Sequence, residues 1–222
     1  VRSVWWLPRG GRPIGLAGDV APGAAIPDVD AEAEESEDTG RYVPDAREAL
    51  AFAQVNPQVA IALRDFVYDS VLAFAPGRVV DAYAGSGELS ERLARSGAAI
   101  TAIEADAAGT AATQRRVDDA GLGDRVRIVT NLVESALATA LPADVVVLNP
   151  PRAGVAAGVT AVLGTAADRG VRGIVYVSCD PATLARDLAR LPGWYIEELR
   201  CFDMFPQTAH VETVCVLRPE AI

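Results

Sequence analysis

Cys179 stands where an apolar run, Val175-Tyr176-Val177-Ser178, gives way to Asp180-Pro181, so a buried strand is expected to end in a polar turn at the thiol. A thiol on such an edge is held rigidly and faces whatever binds at the carboxyl ends of a sheet. Three other segments carry polar side chains at comparable places. They are Asp81-Ala82-Tyr83-Ala84-Gly85-Ser86-Gly87-Glu88, Asn149-Pro150-Pro151-Arg152 and His210-Val211-Glu212. A thiol nucleophile, a carboxylate and a glycine-rich turn in one chain are the parts of covalent group transfer. Most free cysteines are packing residues. Cys215 and Cys201, each inside an apolar strand-like stretch, are assigned that role.

The glycines of the first segment let the backbone turn sharply and approach a ligand closely. A dinucleotide fingerprint would carry a third glycine where Ser90 stands. Glu104 follows at about the 20-residue spacing from which an acid can hold ribose hydroxyls. With Asp81 at the strand end and no third glycine, S-adenosylmethionine is expected rather than NAD, with Asp81, Gly85, Gly87 and Glu104 around it. Pro150 and Pro151 stiffen the loop that carries Asn149, which with Arg152 is expected to face the substrate. In a strand, residues two apart share a face, so His210 and Glu212 are expected to point the same way.

The elements that would position these residues alternate regularly. Asn56-Pro57 reads as a capped helix start, and the helix is expected to run to about Phe74. Strands are predicted at 78–81, 99–104, 125–130, 143–148 and 171–178, and helices at 88–96, 106–120, 155–169 and 181–190. Two successive strands near 195–202 and 211–217 close the chain. This order predicts an α/β fold, Rossmann-like and mostly parallel, with an antiparallel C-terminal edge. Residues 1–41, with strand-like Ser3–Leu7 and an acidic loop, read as a remnant of a preceding domain. The regular α/β domain is expected to occupy 42–222.

Composition narrows the chemistry further. All 20 basic residues are arginine, which removes Schiff-base lysines and the Walker phosphate loop. A single histidine argues against His-based metal sites and Ser-His-Asp triads, and three scattered cysteines suit neither a disulfide framework nor a metal knuckle. No metal is expected. No apolar run approaches the roughly 20 residues of a membrane span, and no signal peptide is visible, so a cytoplasmic location is expected. Seven acids between Asp28 and Asp38 supply most of the net charge of −10. Such a run is usually solvated, so the charge neither supports nor excludes an RNA partner.

Taken in order, Gln54-Val55-Asn56-Pro57, Asp81-x-Tyr83-x-Gly85-x-Gly87, Asn149-Pro-Pro-Arg152, Ser178-Cys179-Asp180-Pro181 and His210-Val211-Glu212 resemble the RNA 5-methyluridine methyltransferases, from about Phe52 to Leu217. The resemblance implies a class I methyltransferase sheet, S-adenosylmethionine as cofactor and tRNA or ribosomal RNA as substrate. It implies that Cys179 adds to carbon 6 of a uracil and that Glu212 later removes the carbon 5 proton. It also implies that Gln54, Tyr83, Glu88, Glu104, Asn131 and Asn149 line the cofactor and base site. The chain departs from the family in having Asn149 where many members carry Asp, and the N-terminal RNA-binding barrel is expected to be absent. Two other readings stay open: an amino-group methyltransferase built on Asn149-Pro-Pro, and a non-catalytic module that binds S-adenosylmethionine.

Overall fold

The structure, a computed structural model, describes residues 3–6, 14–18, 57–204 and 211–220. Near the amino end, β1 (Ser3–Trp6) pairs antiparallel with β2 (Ile14–Gly18). The main unit then alternates α1 (Pro57–Leu72), β3 (Arg78–Ala82), α2 (Glu88–Arg95), β4 (Ala99–Glu104), α3 (Ala107–Asp119) and β5 (Val126–Thr130). It continues through α4 (Val133–Ala140), β6 (Val145–Leu148), α5 (Ala157–Gly164), β7 (Gly173–Ser178) and α6 (Pro181–Leu188) to β8 (Trp194–Phe202) and β9 (Glu212–Pro219).

Seven strands form one sheet in the order β5-β4-β3-β6-β7-β9-β8. The first five run parallel, and β9 lies antiparallel to both β7 and β8. This is the mostly parallel sheet with an antiparallel C-terminal edge expected from the alternation. Val145–Leu148 is buried at every position, as a central parallel strand covered on both faces must be.

Alternation along the strands divides the core in two. Val80, Ala82, Ile103, Val146, Leu148, Ile174 and Tyr176 pack with Val133 and Leu137 of α4, Val159 and Leu163 of α5, and Leu184 of α6. Their strand neighbours Val79, Ile100, Val145, Val147 and Val175 pack with Val67 and Val71 of α1, Leu93 of α2 and Val117 of α3. Each face thus buries a full set of side chains, and this apolar burial is the main term holding the layers together.

Two elements differ from expectation. Helix α4 is unforeseen: it has eight residues and no side-chain cap, although Val133, Ala136 and Leu137 carry a helical spacing of buried residues. The helix predicted over 155–169 is two pieces, α5 and a 3-10 turn at Ala167–Arg169. The break falls at Gly164-Thr165, weak helix formers, beside the Leu163 carbonyl that accepts from Trp194 Nε1 at 3.0 Å. The predicted start of α1 at Asn56 lies outside the described residues. So do most of residues 1–41, and no helix among the described residues is long and apolar enough to cross a membrane.

Candidate active site at the carboxyl edge of the sheet

The strand order reverses between β3 and β6, which opens a crevice at the carboxyl ends of those strands. A cleft of about 270 Å³ lies there, lined by Asp81, Tyr83, Gly85, Glu88 and Asn149, with Leu63, Val67, Leu89, Val147 and Val177 as its apolar walls. Five of the predicted cofactor residues therefore meet in one place.

The turn after β3 has the conformation its glycines suggest. Gly85 and Gly87 have φ of 57° and 76°, and Tyr83 also lies at positive φ, 63°. A β-carbon on Gly87 would come within 2.4 Å of Thr113 Cγ2. Gly87 thus caps α2 and lets α3 approach rather than lining the cleft. Glu104 reaches the turn from the end of β4: its Oε2 accepts from the Gly85 amide at 2.9 Å and its Oε1 from the Asp106 amide at 2.8 Å. Two backbone donors orient this carboxylate, leaving its remaining lone pairs for a ligand hydroxyl. Gly109, not singled out from the sequence, makes this contact possible, since a β-carbon there would lie 3.1 Å from Glu104 Cγ and 3.0 Å from the Gly85 carbonyl.

Asp81 is buried, 3% exposed, and accepts from Ser90 Oγ at 2.6 Å. Burial pushes its carboxyl up to about 6, opposed by the Ser90 hydrogen bond and reinforced by the nearby charge of Glu104. Glu88 lies at the first turn of α2 and pairs with Arg64 of α1 at 3.5 Å. Among the described residues the buried Tyr83 hydroxyl has no hydrogen-bond partner. Burial, with Glu134 and Asp187 close enough to act on it, pushes its pKa up to about 12, so it stays a neutral phenol. Asn131 is exposed after β5 and outside the cleft's lining, but it adjoins Glu104: its amide donates to the Glu104 carbonyl at 3.0 Å and its Oδ1 accepts from the Leu132 amide at 2.8 Å.

The second group forms where β7 ends. Ser178 Oγ donates to the Asp180 carbonyl at 2.9 Å and accepts from the Asp180 amide at 3.2 Å, so the residues on either side of Cys179 are tied together. Asp180 then caps α6, its Oδ1 accepting from the Ala182 and Thr183 amides at 2.9 and 3.0 Å. The Thr183 amide is the main cause that lowers the Asp180 carboxyl, with Arg152 adding to it. Cys179 is half-buried, whereas Cys215 is fully buried, and burial pushes the Cys215 thiol up to about 12. That makes Cys215 an inert packing residue; Cys201, on β8, has its Sγ 3.9 Å from Thr213 Oγ1.

Glu212 opens β9 and is half-buried. Burial raises its carboxyl and the charge of Arg152 opposes this. Arg152 therefore acts on both Asp180 and Glu212, and the Asn149 loop, the Cys179 turn and the start of β9 share one electrostatic neighbourhood. Gln54 and His210 lie outside the described residues. Among the described residues no cluster of His, Cys, Asp and Glu could hold a metal ion.

A family model described as tRNA (Uracil-5-)-methyltransferase matches residues 39–220. The chain is 39% identical over 182 residues to an uncharacterised RNA methyltransferase of Streptomyces coelicolor, covering 77% of this chain and 37% of that one. It is 33% identical over 171 residues to a 23S rRNA (uracil(747)-C(5))-methyltransferase of a Shewanella species, covering 75% and 43%. A crystal structure of the Pyrococcus abyssi tRNA (uracil-54, C5)-methyltransferase with S-adenosyl-L-homocysteine superposes with a TM-score of 0.63 at 29% identity, covering 74% of this chain and 39% of that chain. The chain spans less than half the length of each of these relatives.

Proposed function

The chain belongs to the tRNA (uracil-5-)-methyltransferase family, and from that premise we propose that it is the catalytic portion of an enzyme that methylates carbon 5 of uridine in tRNA or rRNA. The single observation that carries this reading is the strand register. Ser178 of β7 pairs with Thr213 of β9, so Cys179 and Glu212 directly follow the last pair of the β7–β9 ladder, and Val177 of the same β7 end lines the cleft.

The residues fit S-adenosylmethionine as cofactor. The cleft at the switch point combines apolar walls with Asp81, Glu88 and Asn149, and Glu104 presents a carboxylate oriented by two amides beside it. The cofactor supplies a methyl group on a sulfonium, which needs an electron-rich carbon as acceptor. Uracil carbon 5 is too weakly nucleophilic unaided, and Cys179 meets that need. Its thiolate adds to carbon 6, and the electron pair of the 5,6 double bond moves to carbon 5 and the carbonyl at carbon 4. Once carbon 5 carries the methyl group, Glu212 takes its proton. The electron pair reforms the double bond and expels the Cys179 thiolate.

Burial raises the Glu212 carboxyl, which strengthens it as a base, while the positive charge of Arg152 keeps it from rising further. The base must leave its stack to reach such a pocket. An amino-group methyltransferase would need neither the thiol nor the carboxylate. The test is incubation of the chain with methyl-labelled S-adenosylmethionine and total tRNA or ribosomal RNA, followed by digestion to nucleosides. Label in 5-methyluridine is the expected result. Label in a methylated adenine, or none in any nucleoside, would overturn the reading.

A further inference from the structure

We propose that Asp187 is a positioning residue for this reaction, a buried carboxylate that holds the Asn149–Val155 loop in register with the Cys179 turn. Asp187 lies on α6 and is 0% exposed. Its Oδ2 accepts from the Tyr176 hydroxyl and from the Val155 amide, each at 2.9 Å. Its Oδ1 accepts from Arg186 Nε and Nη2 at 2.9 and 2.8 Å. The same Arg186 Nη2 donates to the Ala153 carbonyl at 2.8 Å.

One side chain therefore joins three segments. Tyr176 is on β7, three residues before Cys179. Val155 and Ala153 end the loop that begins at Asn149. Helix α6 itself starts at Pro181, directly after the Cys179-Asp180 turn. Between the two loop contacts, Gly154 has φ of 72°, and a β-carbon there would lie 2.3 Å from Asp187 Oδ2 and 2.7 Å from Arg186 Nη2. Backbone conformation and close approach both demand glycine at this position.

A carboxylate of this kind is a poor way to gain stability alone. Its desolvation costs much of what its partners return, and apolar side chains of equal volume do as well or better. What it supplies is a fixed geometry, because three donor groups, the Tyr176 hydroxyl, the Val155 amide and the Arg186 guanidinium, approach it from different elements and admit one arrangement. An amide at position 187 has one oxygen and would turn its NH2 toward donors. Arg152, which acts on Glu212, sits on the segment so held. The inference thus rests on the Cys179–Glu212 reading given above.

The test compares Asp187→Asn and Tyr176→Phe with wild type well below each variant's melting temperature. Three readouts are used: methyl transfer to uridine, S-adenosylmethionine affinity by calorimetry and amide hydrogen exchange of Val155. The expected result is kcat lower by about 10- to 100-fold, as for a small misplacement of reacting groups, with a much smaller change in cofactor affinity, because neither residue lines the cleft and Asn149 is anchored separately by its amide hydrogen bond to the Ala82 carbonyl. Faster Val155 exchange is expected in Asp187→Asn. Variants that stay folded and turn over at the wild-type rate would overturn the positioning role and leave the methyltransferase reading intact. An unchanged Val155 exchange rate in Asp187→Asn would overturn the clamp whatever the activity. A wild-type chain that transfers no methyl group to carbon 5 of uridine would instead overturn the reading on which the proposal rests.

Discussion

Ser178 and Thr213 form the last pair of the β7–β9 ladder, and each is followed outward by a proposed site residue, Cys179 beyond Ser178 and Glu212 beyond Thr213. The pairs from Ile174–Leu217 to Ser178–Thr213 run without a bulge. Directly opposed residues of an antiparallel pair have neighbouring β-carbons, so the Ser178–Thr213 pair brings to one edge of the sheet two strand ends whose site residues, Cys179 and Glu212, have 32 residues between them in sequence.

In the proposed mechanism Cys179 and Glu212 act at different steps, so their variants should fail differently. Cys179→Ala should give neither adduct nor product. Glu212→Gln should lower turnover by roughly 10²- to 10⁴-fold, the usual contribution of a general base, and should accumulate protein joined to RNA. RNA containing 5-fluorouridine should trap the wild-type chain in the same way, because fluorine does not leave as a cation. The readout is a denaturation-resistant protein–RNA band, mapped to Cys179 by mass spectrometry. Methylation of uridine that survives Cys179→Ala would refute the covalent route.

Glu104 is expected to report on the cofactor. Removing its carboxylate in Glu104→Ala releases the Gly85 and Asp106 amides it holds and, on the proposed reading, takes away a contact to the cofactor. S-adenosylmethionine affinity should fall by about 1–3 kcal/mol, the cost of leaving a hydrogen-bond partner unsatisfied. Calorimetry measures this directly, and binding as tight as wild type, or a preference for NAD, would count against the assignment.

Asp81 makes stability depend on pH in a definite direction. Burial raises its carboxyl from 3.8 to about 6, so between those values the folded chain binds more protons than the unfolded one. The contribution of this group is then fully favourable below 3.8 and is lost as pH rises through about 6. Its loss amounts to on the order of 1–3 kcal/mol. Asp81→Asn should therefore raise the melting temperature near pH 7 and flatten its change between pH 4 and 6. Thermal melts across that window check the sign, and a wild-type chain whose melting temperature climbs through it with an unaltered variant would contradict it.

The strand ends were legible in the sequence because local chemistry marks them. Glycines after Asp81, two prolines after Asn149 and an Asp-Pro after Cys179 each break a run of apolar residues. The α/β alternation that aligns those breaks on one edge follows from the periods 2 and 3.6. Helix α4 escaped because it is short and starts at Leu132 without a capping side chain. Gly109 and Gly154 carry no signal in the local pattern, since the atoms that exclude a β-carbon there, the Gly85 carbonyl and Glu104 at one and Asp187 and Arg186 at the other, are brought in by the fold.

What the residues determined alone was thus an inventory: a thiol, a carboxylate, a polar loop and a glycine turn, each at the end of an element. Their assembly was decided by the tertiary structure. Insertion of β9 between β7 and β8 brings Thr213 against Ser178, at the edge where Glu212 and Cys179 follow, and no local period encodes which strand neighbours which. Asp187 is the sharper case, reading in sequence as an ordinary helix acid in Ala185-Arg186-Asp187-Leu188. Its role exists only where Tyr176, Val155 and Arg186 converge on it, because a buried carboxylate is defined by the donors that replace its water.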